Sequence, residues 1–136
     1  MQDCKHWQDL AAKVSPETRL FIDGKFVDAV DGQRFTTFNP ATGKPIVEMV
    51  RGNSKDIDLA VRAARRAYKS GVWSRMAPRA RMDVMYRIAR LMELHADEFA
   101  LLDCLDMGKP ITELTGGDVP FSILTFQYFA ETIDKI

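Results

Sequence analysis

The stretch Leu20-Phe21-Ile22-Asp23-Gly24-Lys25-Phe26-Val27 decides how the chain begins to fold. Two apolar, β-forming triplets flank Asp-Gly, a favoured two-residue hairpin turn. Working downstream, Asp31-Gly32 offers a second turn. Phe35-Thr36-Thr37-Phe38 then makes a short strand that Asn39-Pro40 stops. Ala41-Thr42-Gly43-Lys44 is another turn, and Pro45 to Val50 reads as the next strand. Residues 20–50 therefore read as a small β-meander. Working upstream, Trp7, Leu10, Ala11 and Val14 have helical spacing, and Ser15-Pro16 ends that helix.

After Gly52 the period changes from two to about 3.6. Ser54 is an expected N-cap, with Asp56 and Asp58 in the first turn. Ile57, Val61, Ala64 and Tyr68 fall on one helical face, with Arg62, Arg65, Arg66 and Lys69 mostly outside. Gly71 closes this helix, and Pro78 suits the first position of the next. Met82, Met85, Ala89 and Met92 mark its buried stripe. Asp97 to Leu105 continues helically, carrying Phe99, Leu102 and Leu105, until Met107-Gly108-Lys109-Pro110 stops it. Gly116-Gly117 is expected to break the chain again, and Asp118 to cap a last helix with Pro120 in its first turn. That helix, through Phe121, Ile123, Leu124, Phe126, Tyr128, Phe129 and Ile133, is apolar nearly all round and wants cover on more than one side. The apolar character persists to Ile136, which suggests a core finished by residues outside this sequence.

The 136 residues hold 19 Lys+Arg and 19 Asp+Glu, with 46% hydrophobic and 28% charged residues, an ordinary globular composition. This length can bury a core without disulfides or metal. Zero net charge argues against a nucleic-acid binder that works by bulk attraction to phosphate. The charge is unevenly spread: residues 51–90 hold eleven Lys/Arg and three Asp/Glu, residues 93–135 two and nine. A basic face for a phosphate-bearing partner and two solvated helix faces both account for it, and the solvated faces are the commoner case. No apolar run reaches the roughly 18 residues a membrane helix needs. Met1-Gln2-Asp3-Cys4-Lys5-His6 lacks the charged-then-apolar pattern of a signal peptide. A cytoplasmic setting with free thiols is the expectation.

Few residues suggest chemistry by themselves. Cys4 and Cys104 are the two cysteines, with no CxxC and no Cys/His cluster. Asp103 and Asp106 beside Cys104 oppose thiolate formation. His6 lies near the terminus, and His95, among Glu93, Asp97 and Glu98, reads as a surface histidine. Phosphate-cradling glycine loops, metal-binding HExxH and nucleophile-elbow GxSxG are all missing.

Six segments in order resemble the N-terminal portion of the NAD(P)-dependent aldehyde dehydrogenase superfamily. They are Leu20 to Val27; Phe35 to Gly43 with its Asn-Pro-Ala-Thr-Gly turn; Asp56 to Ala64; Trp73-Ser74 with the Arg79–Arg90 helix; Leu105-Asp106-Met107-Gly108-Lys109-Pro110; and Tyr128-Phe129-Ala130. Trp7-Gln8-Asp9 with Arg19-Leu20-Phe21-Ile22, and Asp118-Val119-Pro120 with Ala130 to Lys135, are similar to the γ-glutamyl-γ-aminobutyraldehyde dehydrogenase branch, polyamine-linked enzymes that oxidise amino- or acylamino-aldehydes.

The resemblance implies an α/β fold of which this chain is the N-terminal part. Residues 1–18 would be a helical extension, 19–52 the β-meander, and 53–136 the helical part of the coenzyme-side domain. It also implies hydride transfer from a thiohemiacetal to NAD or NADP, a cysteine nucleophile, an oxyanion hole and a deacylating glutamate. The family motifs that carry these groups and hold the coenzyme are not in the 136 residues, so no catalytic or coenzyme residue is assigned and the catalytic domain is absent from this sequence. The chain alone is expected to be inactive, with no tight coenzyme binding. Two lesser sites carry over. Thr37, Phe38 through its carbonyl, and Asp106 match oxygen ligands of a structural monovalent cation, a chemistry suited to a hard ion. Gly117, Asp118 and Phe121 match part of the aldehyde tunnel wall, where Asp118 either meets a substrate ammonium or caps the helix. The other expectation is a non-catalytic module that self-associates or binds a full-length paralogue through the apolar last helix.

Overall fold

The computed structural model describes residues 3–135. The notes on Met1, Gln2 and Ile136 above lie outside the described residues. The chain divides into two compact units, residues 16–76 and residues 1–15 with 77–136.

In the first unit, β1 (Leu20–Ile22) and β2 (Lys25–Val27) pair antiparallel across Asp23-Gly24, with Ile22 opposite Lys25. Asp23 has φ 55 and Gly24 φ 74. Two positive φ values define the turn whose twist matches the strands, and Asp-Gly tolerates them best. β3 (Arg34–Phe38) pairs with β4 (Pro45–Val50), closed by a turn in which Asn39 N–H donates to Lys44 O at 2.9 Å and Gly43 N–H to Asn39 O at 2.7 Å. The β-region is thus two separate hairpins rather than one continuous meander.

Helix α2 (Ser54–Ser70) follows. Its N-cap is Asn53, not Ser54: Asn53 Oδ1 accepts from the Lys55 and Asp56 amides, and Asp56 returns a bond to Asn53 N–H, a capping box. Asp56 is the buried charged residue of the unit, 3% exposed. Its second carboxylate oxygen accepts from Val30 N–H at 3.0 Å. With Ala63 it defines the covered face, whereas the stripe expected from sequence, Ile57, Val61, Ala64 and Tyr68, stands exposed. The small residues Ala60 and Ala63 allow close approach, while the large ones face out.

The second unit is helical. α1 (Cys4–Ala11) is capped by Asp3, whose side chain accepts from His6 N–H. It starts earlier and ends sooner than the apolar spacing predicts, because the cap lies outside the apolar pattern. α3 (Pro78–Leu94) begins with Pro78, as expected, and presents buried Ala89 flanked by half-buried Met82, Met85 and Met92. A kink at His95 (φ −108, ψ 21) separates it from α4 (Ala96–Met107), which Gly108 ends at φ 76. α4 buries Ala100 and Leu101, while Phe99 stays 46% exposed.

Beyond Pro110 the sequence expectation fails informatively. α5 (Ile111–Glu113), a π-helical turn (Leu114–Asp118) and α6 (Val119–Thr132) run on without a break. Gly116 and Gly117 lie inside that turn, and neither has positive φ. Thr115 Oγ1 donates back to Ile111 O at 2.9 Å, a bond that fits a widened turn. The extra residue lets Leu114, fully buried, and Val119 and Ile123 of α6 reach one core with Ala89 and Ala100. Trp7, Cys104, Ile111 and Phe126 pack around it. α3 lies chiefly against α6.

Candidate functional site

The residues expected to touch an aldehyde sit on the π-turn and the start of α6. Asp118 is helical (φ −63, ψ −47) and makes no side-chain capping bond. The capping role is therefore corrected: a residue inside a continuous helix has no free N-terminal amides beside it. Its carboxylate instead pairs with the Lys109 ammonium, and Glu113 approaches the same ammonium at 4.0 Å. Lys109 is half-buried, and the Asp118 hydrogen bond raises its pKa above the usual lysine value. The pair ties the segment after α4 to the end of the π-turn. Phe121 lies three residues on, 72% exposed. Gly117 is also exposed, and a Cβ placed there would meet nothing within 4 Å. The three residues thus form one exposed strip. A neighbouring cleft of ≈390 Å³ is lined by other side chains, among them Thr115, Val119 and Ile123.

The expected cation ligands are divided between the two units. Thr37 and Phe38 lie in β3 at a register shift. Thr37 Oγ1 donates to Val47 O at 3.3 Å, which leaves the hydroxyl lone pairs able to face a cation. Phe38 is paired with Pro45, whose nitrogen carries no hydrogen to offer a ladder carbonyl. Both observations fit oxygen donation to a hard ion. Asp106 lies near the end of α4, exposed, in the other unit. Among the described residues no group of three or more His, Cys, Asp or Glu side chains could hold a metal.

Neither histidine is set beside a thiol by hydrogen bonding. His6 Nε2 meets Asp97 Oδ2 at 2.8 Å, and His95 Nδ1 meets Glu98 Oε2 at 3.1 Å. Cys4 Sγ accepts from Gln8 Nε2 at 3.6 Å. The His6–Asp97 contact ties α1 to α4, while the other two are local contacts within one turn. Among the described residues neither thiol is hydrogen-bonded to a histidine or carboxylate that could take its proton.

The match to known proteins follows this architecture. Residues 26–136 match the model of the aldehyde dehydrogenase family. The chain belongs to the aldehyde dehydrogenase family. It is 42% identical over 131 residues to the NADP/NAD-dependent aldehyde dehydrogenase PuuC of Escherichia coli (strain K12), covering 96% of this chain and 26% of that protein. It is 41% identical over 127 residues to an aminoacetaldehyde dehydrogenase of Pseudomonas aeruginosa, again covering 26% of the relative. A crystal structure of γ-glutamyl-γ-aminobutyraldehyde dehydrogenase from Burkholderia cenocepacia superposes on 97% of this chain with TM-score 0.94 at 43% identity, and 27% of that protein is covered. The chain thus spans about a quarter of the length of the relatives it matches. The two hairpins and the helices are the N-terminal part of the aldehyde dehydrogenase fold. Among the described residues no helix is long and apolar enough to cross a membrane.

Proposed function

We infer that this chain supplies the N-terminal, coenzyme-side portion of an enzyme that oxidises an amino- or acylamino-aldehyde to the carboxylic acid with NAD or NADP. The observation that carries this reading is the superposition on a γ-glutamyl-γ-aminobutyraldehyde dehydrogenase over nearly the whole chain at 43% identity. The names of the relatives from E. coli and P. aeruginosa support the same class of coenzyme and substrate. Putrescine-type polyamine catabolism in the cytoplasm is the matching setting.

In this reading residues 1–18 are a helical extension, 19–52 carry the hairpins, and 53–136 furnish helices of the coenzyme-side domain. Gly117, Asp118 and Phe121 form part of the aldehyde tunnel, with Lys109 holding the Asp118 carboxylate in place. Thr37, Phe38 and Asp106 offer oxygens to a monovalent cation. The coenzyme accepts the hydride when the whole enzyme binds it. The family's nucleophile, deacylating-glutamate and coenzyme motifs lie outside these 136 residues, so in this reading the chain alone oxidises no aldehyde and holds no coenzyme tightly.

Complementation tests this. The 136-residue chain, co-produced with the part of E. coli PuuC that follows the matched region, should restore NADH formation from γ-glutamyl-γ-aminobutyraldehyde, while neither piece alone does. Failure of a soluble, associated pair to turn over would overturn the reading.

One observation favours a second reading, a non-catalytic module that self-associates or binds a full-length paralogue. Phe121, Leu124, Tyr128 and Phe129 of α6 are 72, 59, 62 and 54% exposed. Apolar exposure on this scale marks interaction surfaces. Sedimentation of the chain, alone and mixed with full-length E. coli PuuC, distinguishes the cases: a concentration-dependent dimer or a mixed complex supports the module, and a monomer that forms neither removes it.

A further inference from the structure

The two cysteines, Cys4 and Cys104, stand a hundred residues apart in sequence, yet both line one cleft of ≈800 Å³. Trp7, Asp97, Leu101 and Ile111 are among its other walls. Cys4 and Trp7 are three residues apart on α1, and Asp97, Leu101 and Cys104 follow i, i+4, i+7 on α4. Each set shares one helix face. Both thiols are free, Cys4 exposed and Cys104 half-buried. α1 is the lightly held partner. It has no fully buried residue, and its ties to α4 include the His6–Asp97 contact, with side chains 35% and 41% exposed.

We propose that Cys4 and Cys104 form a reversible intramolecular disulfide that staples α1 to α4. A shared metal is disfavoured, since the cleft adds no third thiol or imidazole and closed thiolate sites take about four ligands. The oxidant is a small disulfide of the glutathione class. The Cys4 thiolate attacks it, forming a mixed disulfide and releasing one thiol. The Cys104 thiolate then attacks the Cys4 sulfur and releases the second. Two protein S–H bonds and one reagent S–S bond are lost. One protein S–S bond and two reagent S–H bonds form, so the protein gives up two electrons and the reagent accepts them. The bond needs Cα atoms roughly 4.4–6.8 Å apart, and the proposal requires α1, which has no buried residue, to bring Cys4 within that range of Cys104. Stapling would hold α1 in its docked position whatever the state of the His6–Asp97 contact.

The test uses the 136-residue chain, dilute, with oxidised glutathione, in native buffer and again in concentrated urea. The products are blocked, digested and weighed. The expected result is a Cys4–Cys104 linked peptide, lacking two hydrogens, formed at least roughly tenfold more in native buffer than in urea, because folding raises the effective concentration of one thiol at the other. Trp7 emission, read in a Trp73→Phe background, should change on oxidation and recover with dithiothreitol. Cys4→Ser and Cys104→Ser should each abolish the linked peptide while keeping the helical circular dichroism. Glutathione adducts on separate cysteines, intermolecular dimers, unreacted thiols, or equal yield in urea would each overturn the proposal.

Discussion

Replacing Gly116 and Gly117 by alanine should stabilise this protein, although a Gly-Gly pair reads in sequence as a break that needs both. The π-turn places the two residues inside a continuous helical run, with neither φ positive. A Cβ at either position would meet nothing within 4 Å. Alanine therefore adds no clash and lowers the entropy of the unfolded chain, worth about 0.4–1 kcal/mol at each compatible site. The host–guest difference of about 0.8–1.0 kcal/mol in helix interiors points the same way. The pair together should give roughly 1–2 kcal/mol, which raises the melting temperature by about 4–8 °C per kcal/mol in a domain of this size. Gly108 is the internal control. At φ 76 it ends α4 in the left-handed region, where alanine is strained, so Gly108→Ala should lower the melting temperature. Thermal unfolding followed by Trp7 fluorescence in a Trp73→Phe background, which removes the second tryptophan from the other unit, reads the helical unit to which these glycines belong. If the Gly116→Ala, Gly117→Ala double variant melts as low as Gly108→Ala, the continuous helix through the π-turn is wrong.

Other outcomes follow from the same physics. Asp56→Ala removes the acceptor for the Val30 and Asn53 amides and should cost about 2–3 kcal/mol, seen as accelerated hydrogen exchange at Val30, with unchanged exchange counting against it. Glu17 is gripped by Arg19 through two bonds of 2.8 Å, and chiefly this hydrogen bonding lowers its pKa from 4.5 to about 2. A lowered carboxylate pKa stabilises the fold above 4.5, and that contribution is lost as pH falls from 4.5 towards 2. In NMR titration the Glu17 midpoint should lie near 2, and Arg19→Ala should return it towards the ordinary range. For Lys109 the sign is opposite. The raised pKa means its contribution is fully present below the usual lysine pKa and is lost as pH climbs through the raised value. Asp118→Asn should bring the Lys109 titration back down, and an unmoved titration would remove the ion pair from the account.

The parts of the fold written in short-range chemistry were legible. Asp23-Gly24 specified its hairpin because few dipeptides tolerate two positive φ values. Pro78 and Gly108 marked helix ends for reasons equally local. The failures came where tertiary packing chose between local options. Asn53 took the cap from Ser54 because Asp56, three residues on, completed the box and also reached Val30. The Ile57–Tyr68 stripe was a sound helical face, yet the face buried against β1 is the one with small residues, and the large stripe is left uncovered. Gly116-Gly117 lie in a π-turn whose wider spacing sets Leu114 and Val119, five residues apart, in one core with Ile123.

The candidate site was less legible than the fold. Asp118 could be singled out in sequence, but its partner is Lys109, nine residues back, and no helical or strand period links such a pair. Thr37 and Phe38 could be placed on a strand end, whereas the register shift that turns their oxygens into candidate ligands is a property of the pairing with β4. The Cys4–Cys104 cleft was invisible, since only the packing of α1 on α4 brings together residues so far apart in sequence.

In the proposed function these 136 residues shape part of an aldehyde-oxidising enzyme and leave its chemistry to the rest of the protein. The most direct test is NADH formation by the purified chain given γ-glutamyl-γ-aminobutyraldehyde and saturating NAD, repeated with NADP. No turnover above the buffer blank is predicted with either coenzyme. Sustained NADH or NADPH production that co-purifies with the chain would contradict the account.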